Sequence, residues 1–297
     1  MADKLKNLIP RLGKRGPHRV LTGELEFAGI PGRVYTPAEG KNIPAVAFGH
    51  DWRRDIQAYH ATLRHLASWG IAVAAPDTEN GFAPNARGFA SDLETCLQIL
   101  SGVRLGSGNI SVNPSRLYLA GHGFGGSAAV LTATGRTHSD KAKRTYNNEA
   151  MLAGVVSIYP ADTNPSSYEA AKYVDAPGLV LKAGELMDIP MGNPERLAAN
   201  WKGDVHYRRI DKATSGGFSE KVFRKMLTRG GLPEYANQEM ARALMTGFIL
   251  AGSEKKYSAF RDPQADLKGT TTFTHDELIQ ELPENADLVK RLGDVKL

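Results

Sequence analysis

The chain holds a single cysteine among its 297 residues, so no intramolecular disulfide can form and no cysteine-based metal cluster can be assembled. That residue, Cys96, falls in a helical pattern and reads as a small buried apolar side chain. No run of about 18 apolar residues offers a membrane-spanning helix. The basic start lacks the apolar stretch of a secretory signal, and a cytoplasmic location is the expectation. H-E-x-x-H and Walker A motifs are missing, as are zinc-finger and RNA-binding signatures. No metal, no cofactor and no nucleic-acid partner is therefore expected. Acids are the minority charge, 32 against 37 Lys and Arg, and the net charge of +5 favours an anionic partner without choosing its kind.

Hydrophobic residues make up 41% of the chain, enough for one large α/β core and too many for a disordered protein. Short apolar runs alternate with helical patterns, which predicts a mostly parallel sheet covered on both faces. Residues 25–37 read as an opening hairpin that turns at Pro31-Gly32. Further strands are expected over 45–48, 71–76, 116–120, 153–159, 178–183 and 206–210, with helices over 56–67, 89–100 and 233–251.

Three parts are expected: a basic N-terminal tail over 1–19, an α/β body over 20–262 and a C-terminal appendage over 263–297. In the tail, Lys4, Lys6, Arg11, Lys14, Arg15 and Arg19 face one acid, Asp3. Leu5, Leu8, Ile9 and Leu12 follow helical spacing, although Pro10 is expected to break or kink a helix there. The tail reads either as solvated chain or as the contact to an anionic membrane surface or a partner protein. In the appendage, Thr274-His275-Asp276-Glu277 has the pattern of a capping box opening a short helix.

The most informative motif is one with a side chain missing. Strand-like 116–120 runs into Gly121-His122-Gly123-Phe124-Gly125-Gly126-Ser127, the build of a G-x-S-x-G nucleophile elbow with Gly123 where the serine belongs. Glycine cannot form a covalent intermediate, yet it enters the strained turn at little cost. Gly121, Gly123 and Gly126 also satisfy G-x-G-x-x-G, but no acid ends a following strand about 20 residues on, as a ribose contact requires. A phosphate at this helix start is physically allowed.

Together with the elbow, Asn113-Pro114-Ser115-Arg116, Ala67-Ser68-Trp69-Gly70-Ile71-Ala72-Val73 and Lys256-Tyr257-Ser258-Ala259-Phe260 resemble the α/β-hydrolases, in particular the dienelactone-hydrolase-like and cutinase-like polyester hydrolases. The resemblance covers residues 20 to 262 and implies an α/β-hydrolase fold with a nucleophile, an acid and a histidine in that chain order. The nucleophile maps onto Gly123. The acid falls in Gly184-Glu185-Leu186-Met187-Asp188, where Asp188 is the candidate and a solvated loop aspartate is the other reading. The histidine position falls on Ser215, or on Gly217 if Phe218 is the anchor. Neither is a histidine, so two triad members are lost.

The resemblance also implies backbone oxyanion donors at His50 and Phe124, which could still bind a carbonyl or an anion. His50, with Asp51 and Trp52, sits in the loop expected to line the cleft. Ser127 and His122 read as structural residues of the elbow, and His60, His65, His138 and His206 as surface or packing residues. Three functions stay open. The first is a catalytically silent accessory or scaffold subunit, peripheral to a cytoplasmic membrane or a membrane-protein complex, for which a respiratory or cell-envelope assembly is a fitting setting. The second is an esterase or lactonase with a nucleophile relocated to Ser215 or Ser127. The third is a small-molecule sensor using the vacant cleft.

Overall fold

The computed structural model describes residues 4–106, 108–135, 152–184, 192–220 and 234–281. Its centre is one nine-stranded sheet: β1 (Val20–Glu24), β2 (Gly32–Pro37), β3 (Gly40–Gly49), β4 (Ala72–Pro76), β5 (Ile110–His122), β6 (Leu152–Ile158), β7 (Gly178–Ala183), β8 (Val205–Ile210) and β9 (Thr270–Phe273). The spatial order is β1-β2-β4-β3-β5-β6-β7-β8-β9. From β4 through β3 and on to β8 the strands are parallel; β1, β2 and β9 pair antiparallel at the edges. This is an α/β fold compatible with the α/β-hydrolase-like architecture expected from the sequence. The opening hairpin pairs Val20 with Pro37 and Glu24 with Arg33, so its first strand lies ahead of residue 25.

Eight helices are described: α1 (Leu5–Leu12), α2 (His60–Ser68), α3 (Ala86–Gly102), α4 (Phe124–Ala133), α5 (Ser167–Ala171), α6 (Pro194–Ala199), α7 (Tyr235–Ala251) and α8 (His275–Glu281). Alternate residues of each central strand feed opposite sides of the sheet. Val46 and Phe48 of β3 join a core with Leu63 of α2 and Phe248 of α7, whereas Ala45 and Ala47 join one with Phe89 of α3 and Val130 of α4. Small residues on the second face let α3 and α4 lie close to the sheet. Cys96 is buried in that second core, and burial pushes its thiol up out of reactive range.

Residues 4–19 are packed on the body rather than detached from it. Residues 5–12 are helical, and Leu5, Leu8 and Leu12 are buried at 3%, 2% and 0% exposure against α7. Pro10 lies inside the helix, which runs on to Leu12, so the expected break does not occur; Pro10 and Lys6, whose carbonyl is left without a helical donor, are both exposed residues. After the helix, the Trp69 indole donates to Lys14 O at 2.9 Å, Gly16 N to Ser68 Oγ at 2.8 Å and His18 N to Ser68 O at 3.1 Å. At the other end, part of the expected appendage completes the sheet: β9 pairs with β8 from Tyr207↔Phe273 to Ile210↔Thr270. The capping box forms as expected, with Thr274 N donating to Glu277 Oε2 at 2.7 Å.

Glu220 joins α2 to α7. Its carboxylate accepts Ala61 N and Thr62 N at 2.7 Å each, capping the start of α2, and pairs with the half-buried Arg242 guanidinium at 2.9 Å. Beside them His65 is buried, and its Nε2 has no hydrogen-bond partner. Burial, assisted by Arg242, lowers the His65 pKa to about 4, below its ordinary 6.5. Between those values the unfolded chain takes up a proton that the folded chain refuses. The contribution of neutral His65 is therefore fully present above about pH 6.5 and lost as pH falls toward 4, up to about 3 kcal/mol. Urea titrations of the parent and His65→Leu at pH 7 and pH 4.5 should show the parent losing more stability than the variant; equal losses would contradict the assignment.

Candidate functional site

At the carboxyl end of β5 the chain turns sharply through Gly123, at φ +54° and ψ −118°, into α4. Gly123 N donates to Ile158 O at 2.9 Å, and Ala161 N donates back to Gly123 O at 3.1 Å, so the turn is fixed to the end of β6. The elbow expected from the sequence is thus built, with a left-handed backbone that glycine tolerates best. A neighbouring close approach brings the end of β3 onto the first turn of α4: a β-carbon on Gly125 would stand 2.2 Å from the Gly49 carbonyl carbon.

The space above Gly123 is taken. A β-carbon placed there would lie 1.8 Å from Asp51 Oδ1 and 2.3 Å from its Cγ. The same Oδ1 accepts Phe124 N at 2.9 Å, the backbone donor that the resemblance reserves for an oxyanion. Asp51 thus puts a carboxylate at the N-terminus of a ten-residue helix, where orphan N–H groups and the helix dipole favour negative charge. The donor position at Phe124 is filled from within the chain.

A hydrogen-bonded chain holds this loop in place. Asp51 N donates to Tyr59 Oη at 3.1 Å, and Tyr59 Oη lies 2.8 Å from His122 Nδ1. His122 Nε2 lies 2.7 Å from the Ser215 carbonyl, which only accepts, so Nε2 carries the proton and Nδ1 takes the tyrosine hydroxyl. Burial, ahead of the nearby Asp51 carboxylate, holds the Tyr59 phenol well above its ordinary range, so it remains a donor. The His122 ring packs among Tyr59, Tyr159 and Phe218 at centroid distances of 5.7, 5.7 and 5.3 Å. His122 is the structural residue expected, and it ties the elbow to the loop after β8.

His50 is fully buried rather than lining a cleft. Its ring lies 4.7 Å from Phe89, with Nδ1 2.9 Å from Asp51 O and Nε2 2.7 Å from Thr78 O. Both nitrogens face backbone carbonyls, and the ring joins the loops after β3 and β4. Ser127 is also fully buried and donates to Ala161 O, so it offers no hydroxyl to a substrate. Ser215 opens a short turn, Ser215–Phe218, where its carbonyl serves His122.

Gly217, the other candidate histidine position, repeats the arrangement at the elbow. A β-carbon there would stand 2.4 Å from Glu234 Oε2. The Glu234 carboxylate is held by Thr214 N at 3.1 Å, by the Thr214 hydroxyl and by Asn237 Nδ2 at 2.9 Å. Internal carboxylates therefore sit against both Gly123 and Gly217, two of the positions onto which the resemblance maps triad members. Asp188 and His138 lie outside the described residues, as does Pro233 of the expected last core helix.

Over this region, Arg53 stacks 4.1 Å above the Phe82 ring and 5.5 Å from the Trp52 ring, while Trp52 Nε1 donates to Phe82 O at 3.1 Å. Sequence reasoning placed Asp51 in the right loop but missed that its side chain fills the elbow; it missed Tyr59 and Glu234 altogether. The available signal was an acid two residues beyond Gly49, in the loop whose backbone flanks the elbow. No group of three or more potential metal ligands occurs among the described residues. No family model matches the chain, and no curated protein matches it.

Proposed function

We propose that this chain is a non-hydrolytic relative of the dienelactone-hydrolase-like and cutinase-like α/β-hydrolases that works by binding, as an accessory or scaffold subunit on a cytoplasmic membrane-associated complex. The observation that carries the reading is the Asp51 carboxylate, which stands in the space of the missing nucleophile and takes the Phe124 N–H. Acyl transfer needs a nucleophile, a base and a free oxyanion donor. Gly123 supplies no nucleophile, His122 is committed to Tyr59 and Ser215, and Phe124 N is bound. A nucleophile moved to Ser127 is disfavoured by the burial of its hydroxyl, and a sensor that binds its ligand through Phe124 N would first have to displace Asp51.

Purified protein should hydrolyse short-chain aryl esters no faster than a heat-treated control. Turnover that survives stringent purification and is abolished by a serine-reactive phosphonate would overturn the reading. Affinity purification of the native protein from membranes, with identification of what stays bound, tests the accessory role directly. Recovery as a lone polypeptide under mild conditions would count against it.

A further inference from the structure

We propose that the outer face of α1, with the loop that follows it, docks onto an anionic lipid bilayer by charge alone. Lys4, Lys6, Arg11, Lys14, Arg15 and Arg19 are all exposed, and no Asp or Glu occurs between residues 4 and 19. None of the six is ion-paired with another described residue. At about 100° per residue, Leu5, Leu8 and Leu12 share the face turned to α7, which leaves Lys4, Lys6 and Arg11 on the remainder. The short helix at Lys255–Arg261 packs beside α1 and adds exposed Lys255; Glu239 of α7, against Gly13, and Glu254, paired with Lys256, are acids at this edge.

The structure changes what such docking can be. An amphipathic helix that lies in a membrane buries its apolar face among acyl chains. Here that face is spent on the protein core, so α1 can offer a bilayer only its cations. No large exposed apolar side chain occurs among the described residues up to 19, and exposed Tyr235 of α7, one turn from the Glu239 contact with Gly13, is the aromatic anchor that a protein interface at this edge could use. A bilayer needs no such anchor: each Lys or Arg near an anionic surface contributes about fivefold in affinity. The proposal stands on α1 and is independent of the reading of the elbow.

The test uses the full chain, sedimented with vesicles of phosphatidylcholine alone or with about one third phosphatidylglycerol. Binding is expected to the anionic vesicles at 50 mM salt and to be lost by 500 mM, because exposed charges are screened over a few ångströms at high salt. Lys6→Glu/Lys14→Glu/Arg15→Glu, with an unchanged melting temperature, should weaken binding at least about 100-fold. No binding to anionic vesicles at low salt would overturn the proposal, as would equal binding by the triple variant or equal binding to neutral vesicles. Retention on polyglutamate without retention on vesicles would assign the face to an acidic protein instead.

Discussion

Gly123→Ser, the change that would complete a G-x-S-x-G motif, is expected to damage the protein and to create no enzyme. The new side chain cannot coexist with the Asp51 carboxylate, since its β-carbon would fall 1.8 Å from Oδ1. Asp51 must swing out and release Phe124 N, a loss of about 1–3 kcal/mol for a buried donor left unpaired. A non-glycine residue in this left-handed turn adds roughly 1–3 kcal/mol of backbone strain. The sum, about 2–6 kcal/mol, should lower the melting temperature by roughly 5 to 15 °C in a chain of this size. Made on an Asp51→Gly background, the same substitution should cost only the strain, because the carboxylate is already gone. Neighbouring sites that compete for one space are coupled, and the cycle should return at least about 1 kcal/mol of interaction. Additive effects, or a rise in melting temperature with Gly123→Ser, would show that Asp51 does not occupy the elbow. Esterase activity should stay at background in all three variants, because His122 is held by Tyr59 and the Ser215 carbonyl and is not available as the base.

The parts of this fold that could be read from the sequence are those whose signal is local. Strands buried on both faces appear as continuous apolar runs, and 45–48, 71–76 and 178–183 fall within or next to β3, β4 and β7. The helical face of α3 was legible because Phe89, Leu93, Cys96, Leu97 and Leu100 recur at its period. β9 escaped because Thr270–Phe273 is short, half-buried and three-quarters threonine, the composition of an edge strand rather than a core one. The elbow was legible from its glycines, whereas its occupant was not. Phe124 and Asp51 are 73 residues apart, and only the pairing of β3 beside β5 brings the two loops together. The same holds for Glu234 at Gly217. A missing side chain is visible in a sequence; what fills the space it leaves is decided by tertiary packing.

The N-terminal segment shows the same limit in energetic form. Its periodicity marks an amphipathic helix, but period alone cannot say whether the apolar face meets lipid, a partner or the protein itself. The structure assigns that face to α7, with Leu12 fully buried. Leu12→Ala should therefore cost about 2–5 kcal/mol, the range for a buried leucine whose cavity cannot fully collapse. The melting temperature should fall by roughly 5 to 15 °C. By contrast, Lys6→Glu and Lys14→Glu, on the wet side of the segment, should each stay within about 0.5 kcal/mol of the parent. Thermal denaturation of the three variants separates a docked helix from a loose tail, for which all three would melt alike. The comparison also bears on membrane contact. If Leu12→Ala loosens α1, Leu5 and Leu8 become free to enter a bilayer, and vesicle binding by that variant should lose part of its salt sensitivity while the parent keeps all of it. A variant that melts with the parent and binds with the parent's salt dependence would mean that α1 is not held by its leucines.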